Sequence, residues 1–492
     1  MSSADRATRR AAVGFRGKIP EVIRRLVPVA LTLAALVAAV AAGCRSIPPA
    51  GREVSLVIAN AIVVTMDGER RILNPGSVAI DGNAIVAVDR PDVISSQYRG
   101  RESIDATGRV VMPGLINTHT HAPMVLYRGL ADDLALMDWL QRYIFPAEAK
   151  TVSPEFVRIG TRLAALEMIR SGTTTFADMY YFEEEVAAEA KAAGLRGVLG
   201  QTVIQFPVAD AKTPAEALTR ADAFLQRFAG DELITPAVAP HSMYTLDAET
   251  LKSVKALAEK RSAPVLIHLA ETEDEVKMAN ERYQRRPVGF LESIGFWGPR
   301  IVAAHGVWIQ PDEIQVLKQH GVGVSHNPES NMKLASGAAP VPGYLAAGVA
   351  VGLGTDGAAS NNDLDMFEAM RQAAFLHKLV TRDPTAVSAG TALEMATVGG
   401  ARVLGLQDRI GSLEAGKRAD LIVVRMDAPR QTPMYDPVSH LVYATRGDDV
   451  DATVVNGRVL MRGGRVLTLD EAAVLKQANA AAEQVRKAVQ PQ

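Results

Sequence analysis

PGLINTHTHAPMVLYRG, residues 113–129, carries two histidines separated by one threonine. Residues two apart on a strand point to the same side. The apolar run Val110-Val111-Met112 and the pair Leu115-Ile116 read as one buried strand, interrupted at Pro113-Gly114 and ending at the histidines. His119 and His121 then leave the strand's end together, either as half of a metal clamp or as two polar residues sharing a face. Short motifs match by accident, so the rest of the chain has to decide.

Outward from that stretch, short apolar runs alternate with amphipathic helical patterns, the signature of βα units around a parallel sheet. The apolar runs predict strands over 110–117, 173–177, 197–203, 234–239, 264–267, 301–304, 322–324 and 349–354. Between them lie helical spacings such as Ile159, Leu163, Leu166 and Ile169. This pattern predicts an α/β fold, a (β/α)8 TIM barrel over residues 113–410. The flanking segments 53–112 and 411–469 are β-rich and broken by turns such as Asp67-Gly68 and Asn456-Gly457. They predict a small composite β-sandwich built from both ends of the chain. Residues 470–492 predict a surface helix opened by Asp470 as its cap.

Six of the nine histidines close a predicted strand. His119 and His121 end the first, His241 the fourth, His268 the fifth, His305 the sixth and His326 the seventh. Asp356 sits at the tip of the eighth, in GLGTDGAASNN. In such a barrel all strand C-termini meet on one face, where active sites are built. His320 and His377, in helical stretches, and His440, in the return segment, read as ordinary polar residues.

Neutral imidazoles and one carboxylate suit a borderline divalent ion. Three nitrogens and an oxygen, from His119, His121, His268 and Asp356, leave room for a water, whose pKa a metal lowers from ~16 to about 7. A second acid is then needed for the leaving group, and Glu271, three residues past His268, is placed to supply it. Its bland alternative is a first-turn acid of the next helix, the reading preferred for Glu273, Asp274 and Glu275.

At 492 residues the chain is long enough for two or three domains. Apolar residues at 48% and charged residues at 22% are ordinary globular values, and the net charge of −2, with no long basic run after the first 25 residues, excludes nucleic acid as the natural partner. The first 50 residues differ. Arg6 to Arg25 form a basic segment, Leu26 to Ala42 an uncharged apolar stretch, and Cys44 follows as the only cysteine. That order describes a secretory signal, and Ala41-Ala42-Gly43-Cys44 resembles a bacterial lipoprotein signal. Residues 1–43 are thus expected to be a cleaved leader and 44–52 a tether. The protein is expected to be exported and lipid-anchored on the periplasmic or extracellular side of a membrane, with no other membrane contact. The alternative is an uncleaved anchor helix, since ~17 apolar residues is the lower edge of a span.

Together PGLINTHTHAPM, PHSMYT, IHLAET, AAHGV, SHNPESNMKLASGAAPV and LGTDGAASNN resemble the amidohydrolase superfamily. Within it they look like the nucleoside-deaminase branch that acts on 5-methylthioadenosine and S-adenosylhomocysteine. The resemblance runs from about Glu53 to Leu467. It implies one divalent metal, zinc first with iron(II) or manganese(II) as alternatives, held by His119, His121, His268 and Asp356. It implies that Asp356 also takes a proton from the attacking water, that Glu271 protonates purine N1, and that His305 orients the nucleophile. Glu148 and His241 would contact substrate, with His326 near the pocket. Binuclear relatives use a lysine at the end of the fourth strand, and ITPAVAPHSMY has none.

One departure concerns charge. Relatives that recognise the homocysteine carboxylate carry an arginine after the third strand, where this chain has Gln201. An amide cannot make arginine's charge-assisted bidentate contact, so neutral nucleosides are expected to be preferred unless Lys212 compensates. The small-molecule substrate is expected to be an adenine nucleoside, acted on by a monomer or homo-oligomer. The alternatives are a related amidohydrolase of guanine, pyrimidine or triazine rings, and a metal-binding lipoprotein without catalysis.

Overall fold

The computed structural model describes residues 51–489. The leader expected over residues 1–43, Cys44 and nearly all of the tether lie outside the described residues.

Strands β1 (Arg52–Val64), β2 (Ile72–Asp81), β3 (Ala84–Asp89), β4 (Tyr98–Asp105) and β5 (Arg109–Pro113) come first. The barrel strands follow as β6 (Leu115–Thr120), β7 (Thr173–Tyr180), β8 (Arg196–Val203), β9 (Ile234–Pro240), β10 (Val265–Leu269), β11 (Ile301–His305), β12 (Gly323–His326) and β13 (Val351–Leu353). The chain ends with β14 (Leu421–Arg425), β15 (Val450–Val455), β16 (Arg458–Arg462) and β17 (Arg465–Val466), and a helix over Glu471–Val489.

Strands β6 to β13 form one eight-stranded sheet in sequence order, each parallel to its neighbour. The two edges meet largely through side chains. Thr118 Oγ1 donates to the carbonyl of Leu353 at 2.9 Å, and Asn117 Oδ1 accepts from Thr355 N at 3.1 Å. One backbone bond, from Asp356 N to His119 O at 3.0 Å, joins the edges just where the site begins. Ile116, Ala177, Val198, Leu266 and Val302 point inward and pack with Val403, Leu404 and Ile410, which plug the barrel at the end away from the site. This is the TIM-barrel architecture.

The other strands form a separate nine-stranded mixed sheet, in which β14 from the end of the chain pairs antiparallel with β5 from its beginning. Strand β1 pairs with β4 through Ala59, then with β5 from Ile62. The change of partner occurs at Asn60, whose φ is 64°. Ile58 and Val78 from one half share an apolar core with Leu421 and Val454 from the other.

The strand expected over 110–117 is in fact two strands in two sheets. Val110 to Met112 belong to β5, and the barrel begins at Leu115. Gly114 carries the chain across, its N–H bonded to Asp420 O at 3.0 Å. A Cβ there would meet the Thr174 side chain at 2.1 Å, so only glycine passes. The helix Pro154–Arg170, capped by Ser153 Oγ on Phe156 N, presses on the segment that follows His121. Gly160 permits that approach, since a Cβ would lie 2.5 Å from Pro123 O. The C-terminal helix is not merely a surface element: it buries Val474, Ala478, Ala481 and Val485.

Candidate active site

The strand-end histidines converge. Nitrogens of His119, His121 and His268 lie within 4.8 Å of one another, as do ligand atoms of His119, His305 and Asp356. Asp356 Oδ1 is 3.4 Å from Nε2 of both His119 and His121, and His268 Nε2 is 3.3 Å from His121 Nε2. Residues from both ends of the barrel sequence thus share one small volume.

The backbone fixes which ring nitrogens face that volume. His121 Nδ1 is 2.7 Å from Met179 O, and His268 Nδ1 is 2.8 Å from His241 O. A carbonyl only accepts, so both Nδ1 atoms carry the hydrogen and both Nε2 lone pairs point inward. His119 Nε2 is buried without a hydrogen-bond partner, and burial pushes its ring down to about 4. Burial also drives His268 well below the usual imidazole range, helped by the neighbouring rings. Three imidazoles therefore gather around one carboxylate. Burial alone would raise Asp356, but its close approach to the rings of His119, His121 and His305 holds it well below the usual carboxylate range. This donor set fits a divalent cation of zinc-like chemistry.

Asp356 is braced by Ser330 Oγ at 2.7 Å and Ser360 Oγ at 3.0 Å, both donating to Oδ2. Asp356 and His305 both sit at positive φ, 65° and 72°. Such strain in residues that carry side chains is characteristic of functional sites. His305 Nδ1 donates to Asn331 Oδ1 at 2.9 Å, leaving Nε2 3.8 Å from Glu271 Oε2. Glu271 is raised well above the carboxylate range, by burial first and then by the charge of Asp356. Its Oε1 has no partner. Two buried carboxyl groups facing one cavity are therefore driven in opposite directions.

That cavity has about 600 Å³ of space including its mouth. Its lining includes His121, His268, Glu271, His305 and Asp356 on the floor, with Trp139, Leu140, Phe145 and Tyr244 as walls. No lysine or arginine lines it. Glu148, which could have been a solvent-facing loop acid, is buried in the lining, and accepts from Tyr180 Oη at 2.7 Å and Tyr181 Oη at 3.5 Å. Burial pushes it up to about 7, against those hydrogen bonds. His241 also lines the cavity, its ring pushed down by burial to about 3 and hence neutral.

The structure corrects or extends several sequence readings. Gln201 does not line the cavity. It shares the outward face of β8 with Leu199 and Val203 and donates to Asp210 Oδ2 at 2.7 Å, while Thr202 faces the cavity. Adjacent strand residues point to opposite faces, so the side chain at position 201 does not reach the cavity. Lys212 lines neither this cavity nor its neighbour. Glu275 is a first-turn acid of the helix Glu273–Tyr283, as read, but unlike Glu273 and Asp274 it has a second role. It is buried, and its two oxygens accept the N–H groups of Ala270 and Glu271. His326 lies outside the lining, its Nε2 3.0 Å from His377 Nε2, which gives His377 a structural partner.

Other residues escaped the sequence reading. Asp178, just beyond the second predicted strand, accepts from Thr120 Oγ1 at 2.6 Å and Ala122 N at 2.5 Å, bracketing His121. Beside it lies Glu183, driven well up by burial and by the charge of Asp178. The rule of polar residues at strand ends would have found Asp178.

The amidohydrolase family model matches residues 110–460. The chain is 50% identical over 415 residues to a 5-methylthioadenosine/S-adenosylhomocysteine deaminase of Syntrophobacter fumaroxidans, covering 84% of this chain and 94% of that one. It is 46% identical over 432 residues to a 5′-deoxyadenosine deaminase of Methanosarcina mazei, covering 87% and 98%. A crystal structure of an adenosine deaminase from Xanthomonas campestris with bound zinc superposes with a TM-score of 0.88 at 39% identity, covering 89% of this chain and all of that one.

Proposed function

Because the chain belongs to the amidohydrolase family, we propose that it removes the 6-amino group of an adenine nucleoside by metal-dependent hydrolysis, giving the inosine-type product and ammonia. The observation that carries this reading is the pair of opposed carboxyl groups, Glu271 and Asp356, on the floor of one cavity with no basic side chain.

His119, His121, His268 and Asp356 would hold one divalent ion, zinc by its donor chemistry. When bound, it supplies a Lewis acid that lets water act as a nucleophile at neutral pH. The rest falls to the protein. Asp356, held ionised, takes a proton from the attacking water. Glu271, kept protonated by its surroundings, gives its proton to ring N1 as C6 becomes tetrahedral, and helps carry protons to the departing amine. His305, its Nδ1 fixed by Asn331, presents Nε2 to orient the attack. Glu148 accepts the ribose hydroxyls. Trp139 and Phe145 cover the ring and exclude water.

The test is ammonia release by the zinc-loaded chain from adenosine, 5-methylthioadenosine, S-adenosylhomocysteine, guanine, cytosine and an aminotriazine. Release from the adenine nucleosides is expected. Release confined to another ring, or none, overturns the reading.

We further propose export, with lipid attached at Cys44. The support is the order of basic segment, apolar stretch and cysteine over residues 1–44. Labelled palmitate should enter the wild-type chain in a bacterial host but not Cys44→Ser; equal labelling contradicts it.

A further inference from the structure

Strand β7 ends in three consecutive residues that each hold a different part of the site. Asp178 Oδ1 accepts from Thr120 Oγ1 at 2.6 Å and from Ala122 N at 2.5 Å, the residues on either side of His121. The carbonyl of Met179 takes the Nδ1 hydrogen of His121 at 2.7 Å, and Tyr180 Oη donates to Glu148 at 2.7 Å. The chain then turns through Phe182, at φ 54°, into the helix Glu183–Ala193. The first residue of that helix reaches back, and Glu183 Oε1 accepts the N–H of Tyr180 at 2.7 Å. Asp178 and Glu183 are both fully buried, and among the described residues no other group donates to Asp178 Oδ2 or Glu183 Oε2. Two buried carboxylates do not face each other without a proton between them. One shared proton satisfies both oxygens. Burial, with the charge and hydrogen bond of Asp178, drives Glu183 well above the carboxylate range, so Glu183 is the partner that keeps it.

We propose that Asp178 and Glu183 form a one-proton carboxyl pair that positions His121 for the metal and thereby sets how tightly the site holds zinc. The inference rests on the reading of His121 as a metal ligand. Neither carboxyl touches the reacting atoms; both are positioning residues that act through the chain on either side of the ligand. Glu183 donates its proton to Asp178 Oδ2, which leaves Asp178 Oδ1 to hold Thr120 and Ala122. The other oxygen of Glu183 holds Tyr180, and with it the strand end whose Met179 carbonyl orients the imidazole. The pair also keeps one negative charge beside His121, which favours a cation on the ring's far side.

The experiment measures the zinc dissociation constant of the full chain by competition with a chromophoric chelator. The variants are Glu183→Ala, Glu183→Gln, Asp178→Asn and the double variant Asp178→Asn/Glu183→Gln. Glu183→Ala should weaken zinc binding about 10- to 100-fold. Glu183→Gln should stay within about threefold of wild type, because its amide oxygen still accepts from Tyr180 N while its NH2 donates to Asp178 Oδ2. Asp178→Asn mirrors this, its amide donating to Glu183. In the double variant donor faces donor, so its loss should exceed the product of the two single losses by about tenfold, a coupling that independent packing residues do not show. If Glu183→Ala does not fold, the amide variants decide. Zinc binding by Glu183→Ala equal to wild type, a Glu183→Gln loss as large as that of Glu183→Ala, or a double variant no worse than the product of its singles overturns the pair. Each of these leaves the deaminase reading standing; that reading fails separately, if the zinc-loaded wild type releases no ammonia from an adenine nucleoside.

Discussion

Glu275 Oε2 accepts the backbone N–H of Glu271 at 3.0 Å, while its Oε1 accepts that of Ala270 at 2.9 Å. Ala270 stands at φ 48°, a left-handed conformation that costs a residue with a Cβ roughly 1–2 kcal/mol. The buried carboxyl thus clamps the turn that aims Glu271 into the cavity. Glu275→Ala should lower kcat about 10- to 100-fold with one metal still bound per chain, since the acid is misaimed but the ligands are untouched. Glu275→Gln, which keeps one acceptor, should fall between. Steady-state kinetics with metal analysis checks this, and a kcat within about twofold of wild type would count against the clamp.

The pH dependence of binding should follow Glu148. Its carboxyl is raised to about 7 by burial, partly offset by Tyr180 and Tyr181. A raised acid is protonated below that value and ionised above it. Only the ionised form accepts two ribose hydroxyls with charge assistance. KM should therefore rise as pH falls through about 7, and Glu148→Gln should give a high KM with that limb removed. KM values measured across this range decide, and an unchanged acid limb in the variant contradicts the assignment.

Stability should depend on a joint far from the chemistry. Arg196 on β8 and Asp420, just before β14, are both almost fully buried, with Nε 2.8 Å from Oδ2. Asp420 Oδ1 also accepts the N–H of Asn456 at 2.7 Å. The pair fastens the barrel to the composite sheet. Removing one partner strands a buried charge, so Arg196→Met or Asp420→Ala should cost about 3–5 kcal/mol. Denaturant unfolding of each variant checks the figure, and a loss below about 1 kcal/mol would mean that water reaches the joint.

The barrel was legible because each of its strands is a short apolar run closed by a polar residue, and the ligand histidines stand at those closures. What the sequence hid has physical reasons. The apolar run through Val110 and Ile116 is continuous in character although it changes sheets at Gly114, since both sheets bury it. Position 201 points away from the cavity because the alternation of β8 turns Thr202 inward instead. Leu136 to Phe145, which supply Trp139 and other walls of the cavity, lie in helical pieces too short to show a period. Glu275 looks like any first-turn acid until the turn before it is seen to need its oxygens.

The central role is that of Glu271 as the proton donor of a metal-dependent deaminase. The direct measurement is ammonia release from 5-methylthioadenosine together with metal content, in wild type and Glu271→Gln. The prediction is one ammonia per nucleoside consumed by the wild type, and turnover lower by about 10²- to 10⁴-fold in the variant, with one metal per chain in both. A variant that keeps near-wild-type turnover, or a wild type that consumes the nucleoside without releasing ammonia, would contradict it.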